Sequence, residues 1–156
     1  MRRSRMLLFA AVSSAALVLA GCSSSTPTEG PAAGGTSPGS GSPGAGTITI
    51  GSDQANDHGT EDVTGKSSFE VEADNDDGFY FKPTVLTGSA NQSIKLEIKN
   101  EGTALHNFSI DSENVNVNID PGSSQEVTVT FPATGTVEFY CSFHRTLGMA
   151  GELQVK

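Results

Sequence analysis

From residue 69 onward, apolar and polar side chains alternate in short runs, and this feature constrains the fold more than any other. The alternating runs cover residues 69–73, 94–98, 115–119, 127–131, 137–141 and 153–155. A period of two places every second side chain on the same face, so each run predicts a β-strand with one buried face. Turn sequences rich in Gly, Asp and Asn separate several of the runs, and no segment has a sustained helical period. We therefore predict an all-β domain, an antiparallel Greek-key β-sandwich of about seven or eight strands.

The segment that precedes these runs is less regular. Residues 47–50 are a short β-branched run that predicts one more strand, whereas residues 53–65 are polar and predict a loop or meander. His58 lies in this loop, where we favour an exposed histidine over a peripheral metal site. We treat residues 47–66 as an extra N-terminal piece of one domain that spans residues 47–156.

The N-terminus predicts export from the cell. Three arginines in the first five residues precede an apolar run over residues 6–20, which is short for a stable membrane span. Residues 19–22 read Leu-Ala-Gly-Cys, which resembles the lipobox of bacterial lipoproteins. That resemblance implies removal of residues 1–21 as a signal peptide and acylation of Cys22. An ordinary secretory signal with a nearby cysteine is the alternative.

Residues 22–46 consist almost wholly of Ser, Gly, Pro, Thr and Ala. Such a composition cannot bury a core, so we predict a disordered tether. An acylated Cys22 at its start would hold the domain near the extracytoplasmic face of a bacterial cell membrane without fixing its orientation. The expected localisation is therefore that of a lipid-anchored membrane protein.

The charge of the chain excludes one class of partner. The whole chain has 9 Lys+Arg and 18 Asp+Glu, and removal of the signal peptide leaves a formal net charge of about −12. No basic patch remains, so we expect no binding to nucleic acid. An acidic surface of this kind favours a soluble monomer. It either steers a basic partner or is a solvated surface without a steering role.

Acylation of Cys22 would leave Cys141 as the remaining thiol, without a partner for an internal disulfide. An unpaired thiol outside the cytoplasm is open to oxidation unless something occupies it. A bound metal ion would do so.

The candidate ligands of that metal lie close together in the sequence. His144 follows Cys141 by three residues, Met149 follows His144 by five, and His106 precedes Cys141 by 35. Two imidazoles and a thiolate with a long, weak thioether are the ligand set of a blue copper site. Zinc is the alternative, but a thioether is a poor zinc ligand and the loop holds no fourth Cys, His or carboxylate. We therefore predict one copper ion, in Cu(I) and Cu(II) forms.

The Cys-x2-His-x4-Met motif at residues 141–149, with the upstream His106-Asn107 pair, resembles the plastocyanin and pseudoazurin branch of the cupredoxins. The resemblance covers residues 69–156. It implies that His106, Cys141 and His144 are the equatorial ligands and that Met149 is the axial one. It also implies that the loop histidine, His144, is the port through which electrons pass.

The same resemblance suggests roles for residues beside the ligands. Asn107 is expected to hydrogen-bond near the strand that bears the cysteine and so to brace the site. Tyr140 matches an aromatic residue often found before the ligand cysteine. Phe143 stands where a proline is often found, which leaves the ligands intact but alters the apolar rim.

These residues favour electron transfer over catalysis, because the pattern offers no base, nucleophile or open coordination position. We expect a membrane-tethered one-electron carrier that serves a redox protein such as a cytochrome or an oxidase. The alternatives are a copper storage or delivery protein without redox shuttling, and an immunoglobulin-like module without metal. Four apolar residues beside the ligands form the expected docking patch: Leu105, Phe143, Leu147 and Ala150.

Overall fold

The computed structural model describes residues 46–156, which form twelve strands and two short 3₁₀ turns. The strands are β1 (Gly46–Ile50), β2 (Asp53–Asp57), β3 (Thr60–Asp62), β4 (Ser68–Asp74), β5 (Tyr80–Lys82), β6 (Val85–Gly88), β7 (Ser93–Asn100), β8 (His106–Ile110), β9 (Val115–Ile119), β10 (Ser124–Thr130), β11 (Thr136–Tyr140) and β12 (Ala150–Val155). The 3₁₀ turns are Asp111–Glu113 and Arg145–Leu147. Within residues 46–156, no helix is long and apolar enough to cross a membrane. The predicted signal peptide, Cys22 and nearly all of the predicted tether lie outside the described residues.

Two sheets form the sandwich. One has four strands in the order β10-β7-β4-β5, and the other has six in the order β3-β6-β12-β11-β8-β9. The chain passes from one sheet to the other between β7 and β8 and again between β9 and β10, so neighbouring segments of sequence lie in opposite layers. Strands β1 and β2 pair only with each other as a separate hairpin, within the part of the chain that the structure describes.

The core lies between the two sheets and contains the apolar residues of the alternating runs. Leu96 and Val129 from the smaller sheet and Leu153 from the larger one are completely buried in the same cluster. The aromatic rings of Phe81, Phe108 and Phe139 meet in this cluster, with centroids 5.1 to 5.7 Å apart. Full burial of such a side chain contributes about 1.5–3 kcal/mol, so this centre fixes the positions of β5, β8 and β11.

The all-β class is confirmed, but the strand count and the strand directions differ from the prediction. Twelve strands are present because short strands such as β3 and β5 lack the apolar alternation that reveals a strand in sequence. Three strand pairs are parallel, namely β4 with β7, β6 with β12 and β3 with β6, so the sandwich is mixed rather than purely antiparallel. Alternation shows which face of a strand is buried, and it does not show the direction of the neighbouring strand.

Residues 53–65, predicted to be a loop or meander, contain the strands β2 and β3. His58, which follows β2, is half-buried rather than exposed, and its ring stacks on the ring of Tyr80 with centroids 3.5 Å apart. Burial lowers the pKa of His58, although the nearby carboxylate of Asp57 opposes this shift. His58 does not belong to the group of possible metal-binding side chains found in residues 46–156.

Candidate metal centre

The candidate ligands meet at one end of the larger sheet because adjacent strands deliver them. His106 is the first residue of β8, and Cys141 follows the last residue of β11. These two strands pair, with Tyr140 opposite Ser109. The connection between β11 and β12, residues 141–149, is called the metal loop below, and it also carries His144 and Met149.

Main-chain hydrogen bonds close the metal loop on itself. The amide of His144 donates to the carbonyl oxygen of Cys141 (3.1 Å), and the amide of Met149 donates to that of His144 (3.2 Å). The amide of Cys141 donates in turn to the carbonyl oxygen of Met149 (3.0 Å). Gly148 has a φ of +95°, a left-handed conformation that glycine adopts without strain. The three sequence-predicted ligands in the loop are therefore tied to one another through the backbone.

The nitrogen and sulfur atoms of three predicted ligands converge. One donor atom each from His106, Cys141 and His144 lies within 4.8 Å of the other two. The Sγ of Cys141 is 3.4 Å from the Nδ1 of His144, and the rings of His106 and His144 are 5.2 Å apart between centroids. Met149, the fourth predicted ligand, is completely buried in the main core cluster. It ends the metal loop, and its main chain is hydrogen-bonded to Cys141 and His144.

His106 shows most directly that this cluster suits a metal ion. Its side chain is completely buried, and neither ring nitrogen has a hydrogen-bond partner among residues 46–156. An unpaired buried polar atom costs about 1–3 kcal/mol, so native structures rarely keep one without a reason. Coordination of a metal ion would satisfy such a nitrogen, and a nitrogen–sulfur–nitrogen donor set suits copper or zinc.

The protonation of the two imidazoles also suits ligation. Burial lowers the pKa of His106 to about 4, repulsion from His144 adds to this shift, and Asp74 opposes it. Burial likewise lowers the pKa of His144. Both rings are therefore neutral at neutral pH, and each has a nitrogen lone pair available for a metal.

Asn107 hydrogen-bonds to the sulfur-bearing residue, a contact of the kind that the resemblance implied. Its backbone amide donates to the Sγ of Cys141 (3.3 Å), and its Oδ1 accepts from the amide of Ser142 (3.3 Å). The Nδ2 of the same side chain donates to Asn116 (2.9 Å) and Asn118 (3.0 Å) on β9. Asn107 thus connects β8, β9 and the start of the metal loop around the thiol.

One aromatic neighbour of the site was missed in the sequence. The ring of Phe79 stacks on the ring of His144, with centroids 4.0 Å apart and planes 17° apart, and it meets the ring of His106 edge-on at 6.2 Å. Phe79 follows Gly78 in the connection between β4 and β5, outside every alternating run. Nothing local in the sequence indicates that this connection reaches the metal loop.

Three of the four residues predicted for a docking patch are exposed at this end of the domain. The exposed fractions are 41% for Leu105, 48% for Phe143 and 54% for Leu147, and these three residues are called the apolar rim below. The prediction for Ala150 is wrong, because its side chain is completely buried in a cluster with Ile50 and Ala55 of the β1–β2 hairpin. A docked partner could not contact it.

Comparisons with known proteins find similar sequences and similar structures. A family model described as a cupredoxin-like domain matches residues 46–155. Plastocyanin A/B from Petroselinum crispum and plastocyanin from Daucus carota are each 31% identical over 97 residues, which are 55% of this chain and 98% of each relative. The structure of dithionite-reduced auracyanin from Roseiflexus castenholzii aligns with a TM-score of 0.50 and 22% identity, over 58% of this chain and 98% of that one. At that identity the structural likeness shows a shared fold.

Proposed function

This chain belongs to the family of cupredoxin-like domains, and from that premise we propose that it is a blue copper protein that acts as a membrane-tethered one-electron carrier. The observation that carries the proposal is the convergence of two imidazoles and one thiol within 4.8 Å at one end of the sandwich. His106, Cys141 and His144 would hold the copper ion, and Met149 would supply a weak fourth contact. When bound, copper supplies a one-electron couple between Cu(I) and Cu(II).

The role of the polypeptide is to keep the same surroundings in both oxidation states. Cys141 and His144 are fixed by the main-chain bonds of the metal loop, and His106 is fixed at the start of a buried strand. The backbone amide of Asn107 and the ring of Phe79 further restrict the thiol and the loop imidazole. Little rearrangement is then needed when the charge of the site changes, and a preorganised site of this kind favours fast electron transfer.

Electrons would enter and leave through the exposed end of the domain. His144 is half-buried, whereas His106, Cys141 and Met149 are completely buried. The apolar rim lies next to these residues in sequence and provides an exposed apolar surface for a redox protein such as a cytochrome or an oxidase. The same burial supports electron transfer rather than catalysis, because His106, Cys141 and Met149 expose no surface to a substrate.

Copper loading of the full chain tests the proposal. We expect addition of Cu(II) to the metal-free protein to produce an intense thiolate-to-copper charge-transfer band, and voltammetry to give a reversible potential. Cys141→Ser should abolish the band, whereas Ser142→Ala, at the exposed neighbouring position, should retain it. An intensely coloured Cys141→Ser variant would refute thiolate ligation. Tight binding of colourless Cu(I) without a reversible potential would support copper storage or delivery instead.

The membrane tether is a separate part of the proposal. It is supported by the Leu-Ala-Gly-Cys sequence at residues 19–22 and by the Ser-, Gly- and Pro-rich residues that follow. Expression of Cys22→Ala in a bacterial host should release the protein from the membrane fraction, whereas Ser25→Ala should leave its distribution unchanged. Continued membrane association of the Cys22→Ala variant would argue against acylation at this residue.

A further inference from the structure

We propose that the β1–β2 hairpin, residues 46–57, clamps the metal loop, and that Asn56 is the positioning residue of this clamp. That the hairpin positions the metal loop without metal is argued from contacts alone, whereas the effect on copper rests on the proposed function. The hairpin precedes the alternating runs from which the domain was predicted, and it pairs with neither sheet among the described strands. It contacts the second half of the metal loop and the start of β12.

Asn56 joins two separate parts of the chain to the hairpin. Its backbone amide donates to the carbonyl oxygen of Gly148 (2.9 Å). The Nδ2 of its side chain donates one hydrogen to the carbonyl oxygen of Leu147 (3.0 Å) and the other to that of Phe79 (2.8 Å). One amide group therefore satisfies carbonyl groups that are 68 residues apart in sequence.

Both of these parts bear directly on the metal centre. Leu147 and Gly148 immediately precede Met149, the predicted axial ligand, and the ring of Phe79 stacks on His144. The fit of the amide is close, because a Cβ added at Gly148 would lie 2.6 Å from the Nδ2 of Asn56. The absence of a side chain at Gly148 is what allows Asn56 to reach the loop backbone.

A second contact holds the loop nearer to His144. Arg145, which follows His144, lies between Asp53 of β2 and Glu138 of β11. Its Nε donates to Asp53, its Nη2 donates to Glu138 (2.9 Å), and its guanidinium lies over the ring of Tyr140 at 4.1 Å. The hydrogen bond from Arg145 lowers the pKa of Asp53, so this carboxylate remains charged in the pair.

Apolar packing completes the clamp. Ile50 and Ala55 of the hairpin are completely buried against Ala150, which follows Met149, and Ile48 and Tyr140 pack on the same cluster. The hairpin therefore contacts the metal loop at residue 145, at residues 147–148 and just beyond its end. These contacts hold the segment between His144 and Met149 against the hairpin, so we infer that they set the position of the loop before any metal binds.

Amide hydrogen exchange on the metal-free full chain tests the clamp without copper. Asn56→Leu keeps a similar side-chain volume and removes both donors. We expect the amides of residues 147–149 to exchange about tenfold faster, which corresponds to about 1.4 kcal/mol, while the amides of β7 are unchanged. The matched control is Gln54→Ala on the same strand. It removes a side-chain amide that donates to Thr49 within the hairpin and not to the metal loop. Asn56→Ala introduces no bulk and should give the same acceleration even if the leucine variant does not fold.

Copper spectroscopy then tests the consequence for the site. In copper-loaded Asn56→Leu we expect a changed ratio of the thiolate charge-transfer bands and a changed copper hyperfine splitting, with neither change in Gln54→Ala. Unaltered exchange at residues 147–149 in both Asn56 variants would overturn the clamp, as would equal changes in the Gln54→Ala control. Absence of the charge-transfer band in the copper-loaded unmodified protein would instead overturn the proposed function. The exchange result would still show whether the hairpin clamps the metal loop.

Discussion

Replacement of His106 by leucine is expected to stabilise the metal-free protein while it abolishes copper binding. His106 is completely buried, and neither of its ring nitrogens has a partner among the described residues. Leucine fills a similar space and has no polar side-chain atom to leave unsatisfied. The position is therefore one where the requirement of the metal site opposes the stability of the metal-free fold.

The size of this effect follows from the burial of the ring. An unsatisfied buried polar group costs about 1–3 kcal/mol, and its removal stabilises the folded protein by a similar amount. Part of this stabilisation is lost because leucine does not reproduce the shape of an imidazole. We therefore expect the free energy of unfolding of metal-free His106→Leu to exceed that of the unmodified protein by about 2 kcal/mol at neutral pH.

The difference in free energy of unfolding between the two proteins should grow as the pH falls. The pKa of His106 is about 4 in the folded protein and 6.5 in an ordinary environment. Between these values the unfolded chain binds more protons than the folded one, so the stability of the unmodified protein decreases as the pH falls from 6.5 towards 4. The shift in pKa corresponds to a loss of about 3 kcal/mol in the free energy of unfolding across this pH window. The leucine variant has no imidazole at this position and does not lose this stability.

Urea denaturation of both proteins in the presence of a chelator, at several pH values between 4 and 7.5, measures these differences. Other titrating groups are common to both proteins and cancel in the comparison. Copper-loaded samples at neutral pH are the control, because copper should stabilise the unmodified protein and leave the variant unchanged. A leucine variant that is less stable than the unmodified protein at neutral pH, or that has the same pH dependence, would refute the reasoning.

Three further predictions concern the axial contact, the core and the surface charge. Met149→Gln should retain copper and lower the reduction potential measured by voltammetry, and an unchanged potential would mean that Met149 is not axial. Gly151→Ala should lower the free energy of unfolding, measured in urea, by about 2 kcal/mol. The added Cβ would lie 2.3 Å from the ring of Phe139 and 2.4 Å from the carbonyl oxygen of Thr84. An unchanged urea midpoint would contradict this packing. Oxidation of the reduced protein by a small cationic complex should slow as salt rises, whereas an anionic oxidant should react faster, and salt-independent rates would argue against electrostatic steering.

Much of the centre could be recognised from the sequence because its key spacing is local. Cys141, His144 and Met149 lie within nine consecutive residues, and a short loop after a strand keeps such residues close whatever the rest of the chain does. The partner imidazole, His106, could be proposed only because it completes a known ligand set. Its proximity to Cys141 depends on the pairing of β8 with β11, which the sequence does not state.

The fold shows the same division. The period-two alternation in runs such as residues 94–98 predicts buried and exposed faces, since each strand carries this information in its own side chains. The parallel pairing of β4 with β7 and the existence of β2 and β3 could not be read in this way. Pairing relies on backbone hydrogen bonds that every residue type except proline can make, so it leaves little trace in the sequence.

By itself, therefore, the sequence determined the all-β class and a local set of sulfur and nitrogen donors. Only the tertiary structure decided what surrounds those donors: the ring of Phe79 on His144, the amide of Asn56 on the metal loop, and the burial of Ala150 beneath the hairpin. The physical reason is that these contacts join segments about 65 to 100 residues apart. Such contacts form only when the hairpin and the two sheets have packed together.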